Sequence, residues 1–254
     1  MLAAERRNQI LETLQEKKHV VVSELSQVYG VSEETIRRDL ERMEKDGLVE
    51  KSYGGATLVE NSIFDLPFDV RRKHQVEQKE KMAELIADLV HDGEAIMMDT
   101  SSTALYVAQR LKDKKDLTVV TNSIEIAVNI SDKSDWNIIS TGGTLREKSL
   151  GLFGSRTDES FASYYADKAI FSCMGLTISG GFMDSYEEDA SCKRVMMKHA
   201  RERILVADSS KFGQTAFTRV ACWDSITHVV TDIKPSDKWL KQFEKCNIKC
   251  IYGK

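Results

Sequence analysis

An excess of positive charge is missing from this chain. Its 254 residues carry 36 Lys and Arg against 40 Asp and Glu, a formal net charge of −4. The first 58 residues hold nine basic and eleven acidic side chains. Any contact with nucleic acid must therefore come from clustered charge, and useful affinity requires a dimer or larger assembly. Cysteine is scarce and one-sided. Cys173, Cys192, Cys222, Cys246 and Cys250 are odd in number, and the first two-thirds of the chain has none. Without a CxxC pair the common zinc spacings are excluded, leaving reduced core or surface thiols. No uncharged apolar run approaches the roughly 20 residues that cross a bilayer. Residues 1–18 lack the apolar core of a signal peptide. A cytoplasmic protein with no membrane partner is expected. Internal repeats and low-complexity tracts are absent too. What remains is an apolar fraction of 41%, enough for a real core, over a length that suits one small and one ordinary domain.

The most informative stretch is Gly30-Val31-Ser32-Glu33-Glu34-Thr35-Ile36-Arg37-Arg38-Asp39-Leu40. Ser32 is a natural N-cap, followed by two glutamates where negative charge suits the helix dipole. Val31 and Ile36 form a hydrophobic staple. Ile36, Leu40 and Met43 recur at helical spacing as a buried stripe, which puts Thr35, Arg38 and Arg42 together on the far side. Arg37 lies on the other shoulder, one turn from Glu41, where it can make an ordinary surface pair. The short helical pattern over 23–29 ends at Gly30, a residue that tolerates positive φ. Two short helices about such a turn make a helix-turn-helix, whose second helix presents Arg37, Arg38, Thr35 and Ser32 to a DNA groove. Upstream, residues 5–17 form an amphipathic helix with Ile10, Leu11 and Leu14 inward, and Val20-Val21-Val22 fits a small edge strand. Downstream, residues 48–58 read as two strands about a Gly-Gly turn, the wing of a winged helix. Lys51, Ser52 and Tyr53 lie where they can reach phosphate. Tyr53 packing against the third helix is an equal reading.

Residues 60–77 read as a linker with apolar anchors, Phe64, Leu66 and Phe68, around Pro67, one of two prolines. From Gln78 an amphipathic helix opens a second domain in which strands and helices alternate. Strands are predicted at 95–98, 117–120, 136–140, 169–173, 204–207, 228–230 and 249–252. Helices are predicted at 103–111, 124–130, 158–165, 187–199 and 237–245. That alternation implies an α/β fold with a mostly parallel sheet covered on both faces. Ligands of such sheets bind beyond the carboxyl ends of the strands. There the sequence places Asp99-Thr100-Ser101-Ser102-Thr103, Thr121-Asn122-Ser123, Thr141-Gly142-Gly143 with Arg146 behind, Gly175, and Asp208-Ser209-Ser210-Lys211. Hydroxyls and free amides at helix starts suit phosphate, Lys211 supplies a point charge, and Asp99 and Asn122 suit polyol hydroxyls. Each loop alone reads as capping and turn chemistry. Five at one sheet edge read as a site for an anionic polyol.

The pattern Val31-Ser32-x-x-Thr35-Ile36-Arg37-Arg38-Asp39-Leu40, with Gly47-Leu48 and Gly54-Gly55-Ala56, resembles the DNA-binding signature of the DeoR family of bacterial regulators. Pro67-Phe68 and Arg71 are similar as well. So are the loop at 99–103, Thr121-Asn122-Ser123, Gly142-Gly143, Asp167-Lys168, Gly175, Lys193-Arg194 and Asp208-x-Ser210-Lys211. The resemblance implies a winged helix-turn-helix over 1–59, a linker over 60–77, and over 78–254 an effector-binding and oligomerisation domain similar in fold to ribose-5-phosphate isomerase. It further implies a homodimeric or homotetrameric repressor of sugar catabolic genes, bound to operator DNA and answering to a phosphorylated sugar. The chain departs from the family in carrying Ser101 where glycine is usual in the first loop. Glu187, Glu188 and Lys193 lie where related isomerases keep acid/base residues. An isomerase or transferase carrying a DNA-binding module is the alternative, and a protein-interaction module with a vestigial pocket a third. No catalytic constellation, metal-ligand set or cofactor motif is visible.

Overall fold

The computed structural model describes residues 2–45, 48–58, 66–133 and 135–253. Contacts divide the chain into two compact units, with the boundary between Leu66 and Pro67. The first unit comprises α1 (Ala3–Lys17), β1 (His19–Val21), α2 (Val22–Tyr29), α3 (Glu33–Lys45), β2 (Val49–Ser52) and β3 (Gly55–Leu58). The second comprises α4 (Phe68–Lys73), α5 (Val76–Ala87), β4 (Ala95–Met98), α6 (Ser102–Arg110), β5 (Thr118–Thr121), α7 (Ile124–Asn129), β6 (Asn137–Ser140), β7 (Thr144–Arg146), β8 (Gly151–Phe153), α8 (Ser155–Ala162), β9 (Ala166–Phe171), β10 (Gly175–Thr177), β11 (Gly181–Asp184), α9 (Glu187–Lys198), β12 (Ala200–Val206), β13 (Thr218–Ala221), β14 (His228–Thr231), α10 (Asp237–Lys245) and β15 (Lys249–Tyr252).

In the first unit the expected stripe is buried: Ile36, Leu40 and Met43 of α3 meet a core that includes Ile10, Leu11 and Leu14 of α1. Gly30 ends α2 at φ 62°, and its N–H donates to the Ser26 carbonyl. β1, β3 and β2 form an antiparallel sheet in that order. Val22, expected in the first strand, instead begins α2. The wing also turns differently from the sequence reading. Ser52 pairs with Gly55, so the turn residues are Tyr53 and Gly54, the latter at φ 82°. Gly55 belongs to β3, where a Cβ would stand 2.1 Å from the Val20 carbonyl oxygen. Its task is close packing of β3 on β1. Gly47, Phe64 and the expected boundary at 59–60 lie outside the described residues.

The second unit is built on a seven-stranded sheet, order β15-β14-β12-β9-β4-β5-β6, with every neighbouring pair parallel. Successive residues of each central strand enter opposite cores. Met97, Phe171 and Leu205 join one cluster, and Ile96, Met98, Ile170, Ile204 and Val206 the other. The chain runs outward from β4 through β5 to β6, then returns to lay β9 on the other side of β4. The crevice between the ends of β4 and β9 is thus the topological switch point.

Several elements differ from expectation. Residues 68–73 are helical, and Phe68 is buried in the core of the second unit, so this part of the predicted linker belongs to the sheet's own packing. β9 and β12 begin earlier than predicted because each opens with a charge that looks wrong for a buried strand. Lys168, buried, lies 2.5 Å from Glu94 and 3.9 Å from Glu202 of β12. The hairpin β7–β8 and the antiparallel sheet β10-β11-β13 are additions of three- and four-residue strands.

Candidate nucleic-acid interface and ligand site

On α3 the Ser32 hydroxyl accepts from the Thr35 N–H at 3.3 Å and lies 2.9 Å from the Thr35 hydroxyl. Arg37 pairs with Glu33 at 2.6 Å, one turn back, rather than with the expected Glu41. Arg38 lies 3.5 Å from Glu34, and its side chain is 76% exposed. Arg42 is exposed on the same face. Surface pairs of this kind contribute about 0–1 kcal/mol, so a phosphate or guanine edge can displace the glutamates. Lys51 of the wing is partly exposed, its ammonium 3.3 Å from Glu44 and 3.6 Å from Glu41 of α3 in surface pairs of the same kind. Tyr53 is fully exposed at the wing tip, which excludes packing against the third helix. Asp39 carries a role the sequence reading missed. It is buried and accepts from Arg6 at 2.6 Å, locking α3 to α1 beneath the exposed arginines.

In the second unit the predicted loops meet at the carboxyl edge of the sheet. Asp99 follows β4, is buried, and is heavily used. One oxygen accepts from the Ser101 N–H at 3.1 Å and the Ser101 hydroxyl at 2.6 Å. The other accepts from the Ser172 N–H at 3.2 Å, across the switch point, and lies 3.2 Å from the Lys193 ammonium. Ser101 also caps α6, accepting from the Ala104 N–H at 3.0 Å, and Ser102 and Thr103 are buried in the first turn. Asn122 donates to the Leu152 carbonyl at 3.0 Å, while its buried Oδ1 has no hydrogen-bond partner among the described residues. An orphan acceptor at 2% exposure is costly unless a donor arrives.

Other predicted residues serve the scaffold. Thr121 donates to the Met98 carbonyl and accepts from the Ser123 N–H, stitching β5 to β4. Gly142 and Gly143 take φ of 67° and 123°, and a Cβ on Gly143 would stand 2.2 Å from the Thr157 hydroxyl. A Cβ on Gly175 would stand 2.6 Å from the Gln214 carbonyl oxygen. Gly143 and Gly175 permit close packing, whereas Gly142 has open space at its Cβ position and is required by its positive φ. Arg146 is sandwiched, its guanidinium 3.9 Å from the Phe153 ring centre and 4.4 Å from that of Tyr186, and it pairs with Asp189 and Glu188.

The charges sort into two groups. Lys193 lies 2.5 Å from Asp184 and within reach of Asp99. Burial opposes its charge, yet Asp184, Asp99 and Asp189 outweigh burial and hold its pKa above the ordinary lysine value. Burial pushes Asp184 up to about 6 against the pull of Lys193. This is a carboxylate-rich pole. Beside it stands a cationic one, which the sequence reading saw only in Lys211. The buried Lys79 ammonium donates to the Arg71 carbonyl at 2.5 Å and also to that of His74. Burial lowers its pKa to about 7, Asp208 opposes, and Lys211 and Arg71 add to the fall. His74 is lowered by burial and by the same lysines. Burial lowers the pKa of Arg71, against the opposing charges of Asp189, Asp99 and Asp184. Phe68 and Arg71 are three residues apart on α4, which puts them on one helix face, a signal hidden once 60–77 is taken for linker. Glu187 and Glu188, by contrast, sit outside as exposed partners of Arg194 and Arg146.

Among the described residues no His, Cys, Asp or Glu group suits a metal ion, and no helix is long and apolar enough to cross a membrane. The thiols are free, and burial raises Cys173 and Cys192 well above the ordinary cysteine value.

A winged helix joined to a parallel α/β unit with a polar site at its switch point defines a ligand-responsive DNA-binding protein. The DeoR-like helix-turn-helix domain matches residues 6–62, and the DeoR C terminal sensor domain matches residues 74–233. The chain belongs to the DeoR family of transcriptional regulators. It is 37% identical to YulB, an uncharacterized HTH-type transcriptional regulator of Bacillus subtilis, over 98% of this chain and 96% of that one. It is 32% identical to the HTH-type transcriptional repressor GlcR of Bacillus subtilis, over 99% and 96%. It is 30% identical to the glycerol-3-phosphate regulon repressor of Escherichia coli, over 92% and 93%. Among solved structures, ribose 5-phosphate isomerase A from Methanocaldococcus jannaschii aligns over 54% of each chain at TM-score 0.40 and 16% identity, a partial likeness of fold alone.

Proposed function

We propose that this regulator represses genes of carbohydrate breakdown and that a phosphorylated sugar, bound in the second unit, changes its hold on operator DNA. The observation that carries the reading is the two-ended site. A sugar phosphate is a dianion at one end and a row of hydroxyls at the other. Lys211, Lys79 and Arg71 suit the first end. Asp99, Asp184 and the orphan Asn122 oxygen suit the second. The names of the Escherichia coli and GlcR relatives agree with such a role. On α3, Arg37, Arg38 and Arg42 read base edges or phosphate, with Ser32 and Thr35 on phosphate and Tyr53 at the wing. The protein acts as a homodimer or homotetramer, because a first unit with no net positive charge needs two heads for useful affinity. No turnover is expected of it, in keeping with the family of transcriptional regulators to which it belongs.

The test is a calorimetric titration of the full chain with glycerol 3-phosphate, glucose 6-phosphate and fructose 6-phosphate, alongside turnover assays on the same compounds. Binding without turnover is expected. Steady isomerisation of any of them sinks the regulator-only reading.

A further inference from the structure

A second cleft opens in the second unit, with a volume of about 420 Å3, inside the range of small-molecule sites. One wall is the stretch Trp223–Ser225, which leads into the amino end of β14, so the cleft lies away from the carboxyl edge that carries the switch point. Three basic side chains line it: Arg194 and Lys198 from α9, and Arg203 from β12. Residues 194 and 198 are one turn apart and share a helix face. Ala190, Lys193 and Met196 form the inward face of the same helix, and Lys193 is engaged by Asp184 and Asp99. Arg203 is placed by the alternation of β12. It shares a face with Leu205, which joins the core cluster containing Met196 and Met197 of α9. A guanidinium cannot end in that apolar core, and it emerges in the cleft instead, where Met197, Val220 and Ala221 make an apolar side.

The charge of the cleft is unbalanced. Asp224 is the one carboxylate among its lining residues. Arg194 is occupied, pairing with Glu187 and donating to the Arg219 carbonyl at 3.0 Å. Arg203 is not. Its backbone N–H donates to the Thr227 hydroxyl at 2.8 Å, which fixes the strand, but its Nε is buried and has no hydrogen-bond partner among the described residues. An unmet buried donor is costly until an acceptor arrives. Nε–H and the neighbouring terminal N–H form a parallel pair that fits two oxygens of a carboxylate or a phosphate. Lys198, exposed in the last turn of α9, adds a point charge. We propose that this cleft is a second ligand site, for a small organic anion whose phosphate or carboxylate is held by Arg203 and Lys198 and whose body lies along Met197, Val220 and Ala221. A concave pocket of this volume takes a small molecule rather than the face of a macromolecule. The site is separate from the switch point and does not depend on the sugar-phosphate reading.

The experiment titrates the full chain with phenyl phosphate and with benzoate, which share a ring and differ in the anionic head, and with benzyl alcohol as the uncharged control. Calorimetry and the melting temperature follow binding in the unmodified protein and in Arg203→Gln, Lys198→Glu and Lys211→Gln. The last variant reports a probe that has gone to the switch point instead. Expected is binding of at least one anion and none of the alcohol. Arg203→Gln should weaken it about ten- to a hundredfold, the range for a charge-assisted hydrogen bond. Lys198→Glu should weaken it as well, and Lys211→Gln should leave it within about twofold, the scatter of a distant surface change. Tighter binding of phenyl phosphate assigns a phosphorylated ligand, and tighter binding of benzoate a carboxylate. Lys198 is exposed, so its variant decides the matter if Arg203→Gln does not fold. Equal affinity in Arg203→Gln and Lys198→Glu overturns the proposal, and so does a loss confined to Lys211→Gln. Absence of binding by both anions at about 10 mM, weaker than a millimolar site, overturns it too. Glucose 6-phosphate titrated into Arg203→Gln is expected to behave as with the unmodified chain, which keeps the fate of this site apart from that of the switch point.

Discussion

Arg38 stands in water on a helix whose opposite face is fully buried, and one carboxylate 3.5 Å away is its weak partner. Arg38→Ala therefore leaves stability within about 0.5 kcal/mol but costs about 1–3 kcal/mol of operator binding per head. Paired thermal melts and anisotropy titrations separate the two effects. Asp39, one residue further on, behaves in the opposite way. Its removal strands Arg6, buried in the same ion pair, and costs about 3–5 kcal/mol of stability. Asp39→Ala is expected to melt the first unit while calorimetry still finds ligand binding by the second. Lys79 makes a prediction in pH. It faces Arg71 and His74 from α4, Asp208 and Lys211 after β12, and the Tyr106 ring of α6 at 5.8 Å. Its folded pKa, about 7, lies below its ordinary value of 10.5. The unfolded chain thus holds more protons between those values, and this residue's contribution to stability rises with pH across that window. Bound phosphate, already a dianion above about pH 7, favours the charged ammonium. Affinity for a sugar phosphate should fall from pH 7 to 9, and Lys79→Met should flatten that slope; an unchanged slope in the variant removes Lys79 from the site.

At the scale of elements, the wing depends on a glycine that the turn does not use. Gly55→Ala places a methyl 2.1 Å from the Val20 carbonyl oxygen, a backbone atom that cannot swing aside. A destabilisation of about 1–3 kcal/mol is expected, with β3 displaced from β1 and operator affinity lowered. An unchanged melting temperature contradicts this packing role. The same case shows what sequence can carry. α3 was legible because Ile36, Leu40 and Met43 repeat at helical spacing, and the parallel strands because short apolar runs alternate with amphipathic helices. The edge loops were legible because a parallel sheet gathers its loops at one side. The remainder was hidden for definite reasons. β7, β8 and β10 are too short to show a period. Lys168 and Glu202 carry charges whose partners lie on other elements. Lys79 acquires its meaning only when its ammonium reaches back to the Arg71 and His74 carbonyls, a contact between two helices that no periodicity announces. Thr121, Gly143 and Gly175 matched the expected loops, yet their hydroxyl or missing Cβ serves packing, and Gly142 serves the turn through its positive φ.

For the whole molecule, the two units must exchange free energy, since a ligand that binds every arrangement of the DNA heads equally shifts nothing. Effector and operator must change one another's affinity by the same factor, commonly about 5–150-fold. The polar site at the switch point and the exposed arginines of α3 are the two ends of that exchange, and α4 is the segment of the second unit nearest in sequence to the first. The most direct measurement is the affinity of the full chain for its selected duplex, with and without saturating sugar phosphate, from a panel of phosphorylated trioses, pentoses and hexoses. At least one of them is expected to weaken duplex binding by about tenfold or more, within the usual coupling range, while its unphosphorylated counterpart has no effect. Duplex affinity identical in the presence of every compound that calorimetry shows to be bound contradicts the account.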